Sequence, residues 1–187
     1  MARDPSSDFP GLVSLACHDL RTPLATVQGF AKTMLRLEDL DPEKQARYLG
    51  LIDVAADELV DLLELLSVAA RIEGGRYDPV RRAVDSAELA PEGAAGTGAP
   101  VDVDAERVER ALALLARAAA RHGGVETDAS VDGVTISIGP VTPEAAPVVL
   151  AEEQKDLGAA VALRLLRALG AEVALDGDRL RVSLPPA

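Results

Sequence analysis

Cysteine, aromatic side chains and long apolar runs are all scarce in this chain of 187 residues. The single cysteine, Cys17, permits neither an intramolecular disulfide nor a cysteine-rich metal site, and it leads us to expect a cytoplasmic protein. Aromatic residues make up 2% of the sequence, so leucine, valine, isoleucine and alanine have to build the core. No apolar run reaches the length of about 18 residues that suggests a membrane span.

Positive charge is scarce as well. The chain has 19 lysines and arginines and 31 aspartates and glutamates, which gives a net charge of −12 at pH 7. Phosphate contact needs a basic surface, and anionic membranes attract basic segments. We therefore expect neither nucleic acid nor a membrane among the partners.

An apolar repeat with alternating steps of three and four residues organises the first part of the chain. This spacing is typical of the seam of a packed helix, and it predicts a helix over residues 9–38 after a tail over residues 1–8. In the same register His18 lies farthest from the seam, on the solvent side of the helix. The seam positions are Val13, Ala16, Leu20, Pro23, Val27, Phe30, Met34 and Leu37.

A second repeat predicts a helix over residues 42–73. Asp41 suits an N-cap, Pro42 suits the first helical position and Gly74 ends the pattern. A hairpin of two such helices cannot bury both apolar stripes, so we expect a homodimer that forms a four-helix bundle. The second seam consists of Leu49, Ile52, Ala56, Leu59, Leu63, Leu66 and Ala70.

The second half of the chain has shorter patterns. Residues 87–100 have loop composition, and residues 139–155 give no clear assignment. Together the remaining patterns predict an α+β fold, in which a small sheet is covered by helices. We expect helices over 104–121 and 157–169, and strands over 125–130, 134–138, 172–175 and 179–184.

The pair His18-Asp19 carries the first chemical signal. A neutral imidazole is a nucleophile near neutral pH, and an adjacent carboxylate can hold the ring tautomer or take a proton. The alternative is an exposed helix histidine without a role. Cys17 is interpreted as a small helix residue near the seam, and His122 as a cation near a helix C-terminus. Asp104 is interpreted as a cap residue rather than a metal ligand.

Residues 18–24, which read His-Asp-Leu-Arg-Thr-Pro-Leu, resemble the phosphoacceptor box of two-component sensor histidine kinases. The resemblance implies that His18 is phosphorylated, that Asp19 serves as base and that Thr22 positions water for dephosphorylating a response regulator. Arg21 can stabilise phosphate charge. The alternatives are a solvated helix residue for Arg21 and a backward-bonding helix hydroxyl for Thr22.

The resemblance extends to the end of the hairpin at residues 69–75 and to residues 79–85, which in that family enter the ATP-binding domain. We therefore divide the chain into a dimerisation and phosphotransfer hairpin over residues 1–75 and a degenerate kinase-like ATP-binding domain over residues 76–187. The predicted fold is thus a long helical hairpin followed by a small α/β sandwich.

The second half departs from the kinase pattern at three places. Leu114 and Ala118 stand where the family has two asparagines, one of which helps to hold Mg²⁺, and neither offers the oxygen that a hard cation needs. The strand over 134–138 is not followed by the aspartate that reads adenine. Asp156 replaces the first glycine of the phosphate-binding turn, where its charge repels phosphate. We expect the fold to persist without ATP binding.

These features predict a histidine phosphotransferase of a bacterial phosphorelay, which moves a phosphoryl group between response-regulator aspartates through His18 without ATP. The chain itself is expected to bind no cofactor, and Mg²⁺ is expected on the partner receiver domain. The alternatives are a non-catalytic dimeric scaffold that binds response regulators and a divergent ATP-dependent sensor kinase.

Overall fold

The computed structural model describes residues 9–37 and 40–187. It begins with a helical hairpin made of α1 (Phe9–Arg36) and α2 (Pro42–Glu73). The rings of Phe30 and Tyr48 pack with their centroids 5.1 Å apart between the two helices. The tail predicted over residues 1–8 lies outside the described residues.

The ends of the two helices follow the local signals of the sequence. Asp41 caps α2, because its carboxylate accepts a hydrogen bond from Glu43 N at 3.2 Å. At the other end of α2, Gly74 N donates to Ala70 O at 3.0 Å. The helix α1 ends at Arg36, and residue 38, its predicted last residue, lies outside the described part of the chain.

The second unit is a sheet covered by helices. Its elements in chain order are β1 (Arg82–Asp85), α3 (Ser86–Leu89), β2 (Ala95–Gly98), β3 (Pro100–Val103), α4 (Ala105–Gly123), β4 (Asp128–Gly133), β5 (Thr135–Gly139), α5 (Ala146–Val149), α6 (Leu157–Ala168), β6 (Glu172–Asp176) and β7 (Arg179–Ser183). The main sheet has the order β2-β4-β5-β7-β6, in which β2 is parallel to β4 and the other neighbours are antiparallel. A separate pair, β1 and β3, is antiparallel. A long helical hairpin followed by an α/β unit confirms the predicted fold class.

The loop predicted over residues 87–100 is wrong in part, since β2 lies within it. Its sequence, Ala-Gly-Thr-Gly, has little strand propensity apart from Thr97, and the strand exists because its backbone pairs with β4. A side chain at Gly96 would place its Cβ 1.9 Å from Val131 O, so only glycine permits this approach. The strand predicted from residue 125 begins three residues later, at Asp128.

The helix α6 lies at the centre of the molecule. Its first ten residues are all buried, which is expected when a helix is covered on every side. The sheet and α4 cover it from one direction, and the hairpin covers it from the other. The hairpin residues that join this core are Leu12, Ala16, Leu65 and Ala69.

The same core therefore runs through both predicted domains. Arg110 on α4 adds polar contacts to α2, with its guanidinium 2.7 Å from a carboxylate oxygen of Glu64 and 3.5 Å from one of Asp61. The division of the chain at residues 75 and 76 stays a prediction.

Several apolar side chains of the hairpin stay exposed on the single chain. Leu49 and Leu63, both in the predicted seam of α2, are 50% and 53% exposed. The buried residues of α2, which are Ala55, Leu65 and Ala69, lie beside its predicted seam, whereas Ala16 and Pro23 of the α1 seam are buried. Among the described residues no helix combines the length and the apolar character needed to cross a bilayer.

Candidate functional site

His18 projects from the middle of α1 into solvent, as the heptad register predicted. Its side chain is 76% exposed, and its Nδ1 lies 3.1 Å from Oδ1 of Asp19. An ionised carboxylate only accepts hydrogen bonds, so the proton in this pair lies on Nδ1. The lone pair is then on Nε2, which makes that nitrogen the nucleophilic atom of the ring.

Three concave surfaces surround the predicted site residues. The first, the His18 hollow, has a volume of about 520 Å³ and lies between α1 and the segment before α6. It is lined by Gly11, Ser14, Leu15, His18, Asp19, Gln154 and Lys155.

The second surface, the interunit cleft, has a volume of about 350 Å³ and separates the hairpin from the second unit. Its hairpin wall is acidic and its opposite wall carries the cations. The charged and hydroxyl side chains that line it are Asp19, Thr22, Glu58, Asp61, Arg117, Arg121, Lys155 and Asp156.

The third surface is a shallow groove along α1, lined by Arg21, Thr22 and Phe30 among others. The structure thus brings His18 and Asp19 together in the hollow and Asp19 and Thr22 together in the cleft. Arg21 lines neither of them.

Arg21 and Thr22 are both exposed on α1. The backward hydrogen bond proposed as the alternative for Thr22 belongs instead to Thr26, whose hydroxyl donates to Thr22 O at 3.2 Å. Within the described residues no hydrogen bond occupies the hydroxyl of Thr22. It is therefore available to a water molecule or a partner.

Leu114 and Ala118, which the resemblance matches to the two kinase asparagines, belong to the apolar core. Leu114 is 8% exposed and Ala118 is 1% exposed. Leu114 also packs against the start of α6. A Cβ built on Gly158 would lie 2.8 Å from Cδ2 of Leu114. Neither side chain can coordinate a cation.

Asp156 occupies the N-terminus of α6 as its cap. Its Oδ1 accepts a hydrogen bond from Ala159 N at 3.0 Å, and the residue is 9% exposed. Its Oδ2 lies 3.2 Å from Nε2 of His122 and 3.5 Å from a guanidinium nitrogen of Arg121. The helix end that the resemblance matches to the kinase phosphate site thus holds a carboxylate of this chain.

His122 therefore has a contact with Asp156 in addition to its predicted role. It does lie in the last turn of α4, as expected for a cation near a helix C-terminus, and it also bonds to Asp156. The two residues are 34 positions apart, and no local pattern pointed to their contact. Asp104 caps α4 as predicted, since it accepts from Arg107 N at 3.4 Å.

Cys17 is exposed on α1 and forms no disulfide. Across the described residues no cluster of three or more histidine, cysteine, aspartate or glutamate side chains has the geometry to hold a metal ion.

Comparison with known proteins identifies the hairpin. Residues 11–75 match the His Kinase A (phospho-acceptor) domain, and this match contains His18. Over 79 residues, 42% of this chain, the sequence is 37% identical to the probable sensor histidine kinase TcrY of Mycobacterium tuberculosis. The hairpin is therefore similar to the phospho-acceptor part of a sensor histidine kinase. The chain spans 16% of the length of TcrY, so the match concerns a part of that protein.

The fold over most of the chain is similar to that of a solved histidine kinase. The structure of the histidine kinase AdeS of Acinetobacter baumannii superposes with a TM-score of 0.61 over 90% of this chain and 97% of that one. The sequence identity is 19%, so this likeness concerns the fold alone. The apolar side chains of Leu114 and Ala118 and the cap at Asp156 thus lie in a kinase-type fold.

Proposed function

We propose that the protein is a histidine phosphotransferase of a phosphorelay and that it moves phosphoryl groups between receiver-domain aspartates through His18 without ATP. The observation that carries the proposal is the exposed ring of His18, whose Nδ1 lies 3.1 Å from Asp19 and whose Nε2 is thereby left as the nucleophilic nitrogen. A receiver domain can reach this atom directly. The match of residues 11–75 to a phospho-acceptor domain supports His18 as the acceptor residue.

The chemistry needs only groups that the hairpin supplies. The Nε2 lone pair attacks the phosphorus of an aspartyl phosphate, the N–P bond forms, and the P–O bond breaks to release the receiver carboxylate. Asp19 stabilises or takes the Nδ1 proton as the ring becomes positively charged. In the reverse step, the carboxylate of a second receiver attacks phosphorus and the N–P bond breaks. An acyl phosphate is already activated, so no nucleotide is consumed.

The roles of the neighbouring residues follow from their places. Thr22 lines the interunit cleft with Asp19 and has a hydroxyl that can position a water molecule for dephosphorylation. Arg21 is an exposed cation one helical turn from His18 and can meet acidic groups of a docked receiver. Mg²⁺ would belong to the receiver.

The second unit supports a function without ATP. A triphosphate at the start of α6 would meet the carboxylate of Asp156, which already accepts the helix N–H and bonds to His122. The negative charges of the triphosphate and of Asp156 would repel each other strongly, because solvent is partly excluded there. Leu114 and Ala118 also give no oxygen to a metal that would accompany the nucleotide.

The homodimer belongs to the same proposal. The exposed seam residues of α2 need a partner, and a second hairpin offers the same surface by two-fold symmetry. The dimer would present two copies of His18.

The first experiment is a calorimetric titration of the purified protein with ATP and Mg²⁺. We expect no binding up to millimolar nucleotide. Binding at ordinary kinase affinity would overturn the proposal in favour of a divergent kinase.

The second experiment measures transfer. Receiver domains from the same genome, charged with labelled acetyl phosphate, are mixed with the protein, with its His18→Ala variant and with its His122→Gln variant. His122 is the only other histidine, so it is the matched control. We expect label on the wild type and on His122→Gln and none on His18→Ala. Binding of receivers without any label on His18 would favour the scaffold.

A further inference from the structure

We infer that Lys155 of the second unit binds the phosphoryl group carried by His18. The inference rests on the proposed function and adds a residue to it. It assigns the degenerate kinase-type unit a direct part in phosphotransfer, as the source of the cation that neutralises phosphohistidine.

The position of Lys155 is the first support. The His18 hollow is formed by α1 on one side and by Gln154 and Lys155 on the other. Among the described residues that line the hollow, Lys155 carries the only permanent positive charge. A phosphoryl group on Nε2 adds up to two negative charges at this place, and an ammonium group nearby lowers their free energy.

The segment that carries Lys155 is anchored. Its next residue, Asp156, is buried and is bonded to Ala159 N and to His122. The backbone of Lys155 is therefore fixed beside α1, while its flexible four-carbon side chain can move. A fixed backbone with a mobile ammonium group suits a position beside His18, whose ring gains and loses a phosphoryl group.

The present partner of Lys155 can be displaced. Its Nζ lies 2.6 Å from Oε2 of Glu153, and the two side chains are 64% and 47% exposed. Such exposed pairs contribute little free energy. A phosphoryl dianion carries more charge than the Glu153 carboxylate, so it draws the ammonium group away from Glu153 when it arrives.

The other cations near His18 are placed less well. Arg121 is 3.5 Å from Asp156, and Arg117 lines the interunit cleft rather than the hollow. Arg21 lines the groove on α1. Of these three arginines and Lys155, only Lys155 lines the His18 hollow.

The test uses phosphoramidate, a small donor that needs no receiver. Its P–N bond breaks as Nε2 of His18 attacks phosphorus, and ammonia leaves. The pH dependence of the ³¹P chemical shift of the phosphohistidine then gives the pKa of the second ionisation of the phosphoryl group. We compare wild type, Lys155→Ala, Lys155→Arg and Glu153→Gln, with Lys32→Ala as the control. Lys32 is an exposed lysine about 21 Å from His18 along α1.

We expect the pKa of the phosphoryl group to rise by about 0.5 unit or more in Lys155→Ala, because the loss of a nearby cation disfavours the dianion. It should return toward wild type in Lys155→Arg, fall slightly in Glu153→Gln and stay unchanged in Lys32→Ala. An unchanged phosphoryl pKa in Lys155→Ala, with normal labelling of His18, overturns the role of Lys155 and leaves the proposed function intact. No phosphohistidine on wild type, together with no transfer from charged receivers, overturns both.

Discussion

The side chains of His122 and Asp156 meet at the N-terminus of α6, where Nε2 of the histidine lies 3.2 Å from Oδ2 of the aspartate. The other oxygen of Asp156 accepts the hydrogen bond of Ala159 N. An anion that belongs to the chain therefore satisfies both the helix end and the neighbouring imidazole. Under the proposed function, this internal carboxylate takes the place that an external phosphate has in the kinase family.

The first prediction concerns the stability that this cap provides. Asp156→Ala removes the acceptor of the Ala159 N–H, and we expect the free energy of unfolding to fall by about 0.5–2 kcal/mol. Asp156→Asn keeps an N-cap acceptor while it removes the charge, so its loss should be smaller. Urea denaturation followed by circular dichroism measures both. Equal losses in the two variants would show that charge, and not capping, is the main contribution.

The second prediction concerns the core that the two units share. Leu65 on α2 is 7% exposed and packs with the α6 side of the core, so Leu65→Ala should lower the free energy of unfolding by about 2–4 kcal/mol. Leu35 is 87% exposed, and Leu35→Ala should change it by less than about 0.5 kcal/mol. If Leu65→Ala proved as mild as the control, the packing of α2 against the second unit would be in doubt.

The third prediction concerns the dimer. Leu63 lies in the predicted seam of α2 and is 53% exposed on the single chain. Leu63→Glu should convert the proposed dimer into a monomer in sedimentation experiments, because the two added carboxylates would face an apolar bundle axis at a high desolvation cost. Leu35→Glu, which adds the same charge outside the seam, should leave the mass unchanged. A dimer that survives Leu63→Glu would contradict the seam register.

The fourth prediction concerns the ion pair between α4 and α2. A hydrogen bond from Arg110, and then its charge, lower the pKa of Glu64. A carboxylate with a lowered pKa stabilises the fold above its ordinary titration range, and this contribution is lost as the pH falls through the lowered pKa. The ¹³C carboxyl titration of Glu64 should move to higher pH in Arg110→Ala. It should not move in Arg117→Ala, which removes an arginine elsewhere on α4. An unmoved titration in Arg110→Ala would show that the pair does not persist in solution.

The sequence by itself determined the hairpin and the exposure of His18. Helical periodicity, the Asp41 cap and Gly74 are local signals, because a helix forms its hydrogen bonds within a few residues along the chain. The same periodicity fixed the side of α1 on which His18 lies. The residues that resemble a phosphoacceptor box could therefore be placed on the exposed side of α1 without any tertiary contact.

The tertiary structure alone decided what surrounds His18. Lys155 reaches the hollow, and His122 meets Asp156, only because α6 packs between the sheet and the hairpin. The strand β2 likewise depends on its pairing with β4, which its own residues do not announce. Such contacts join residues far apart in the chain, and their geometry is set by how the whole core closes rather than by any local propensity.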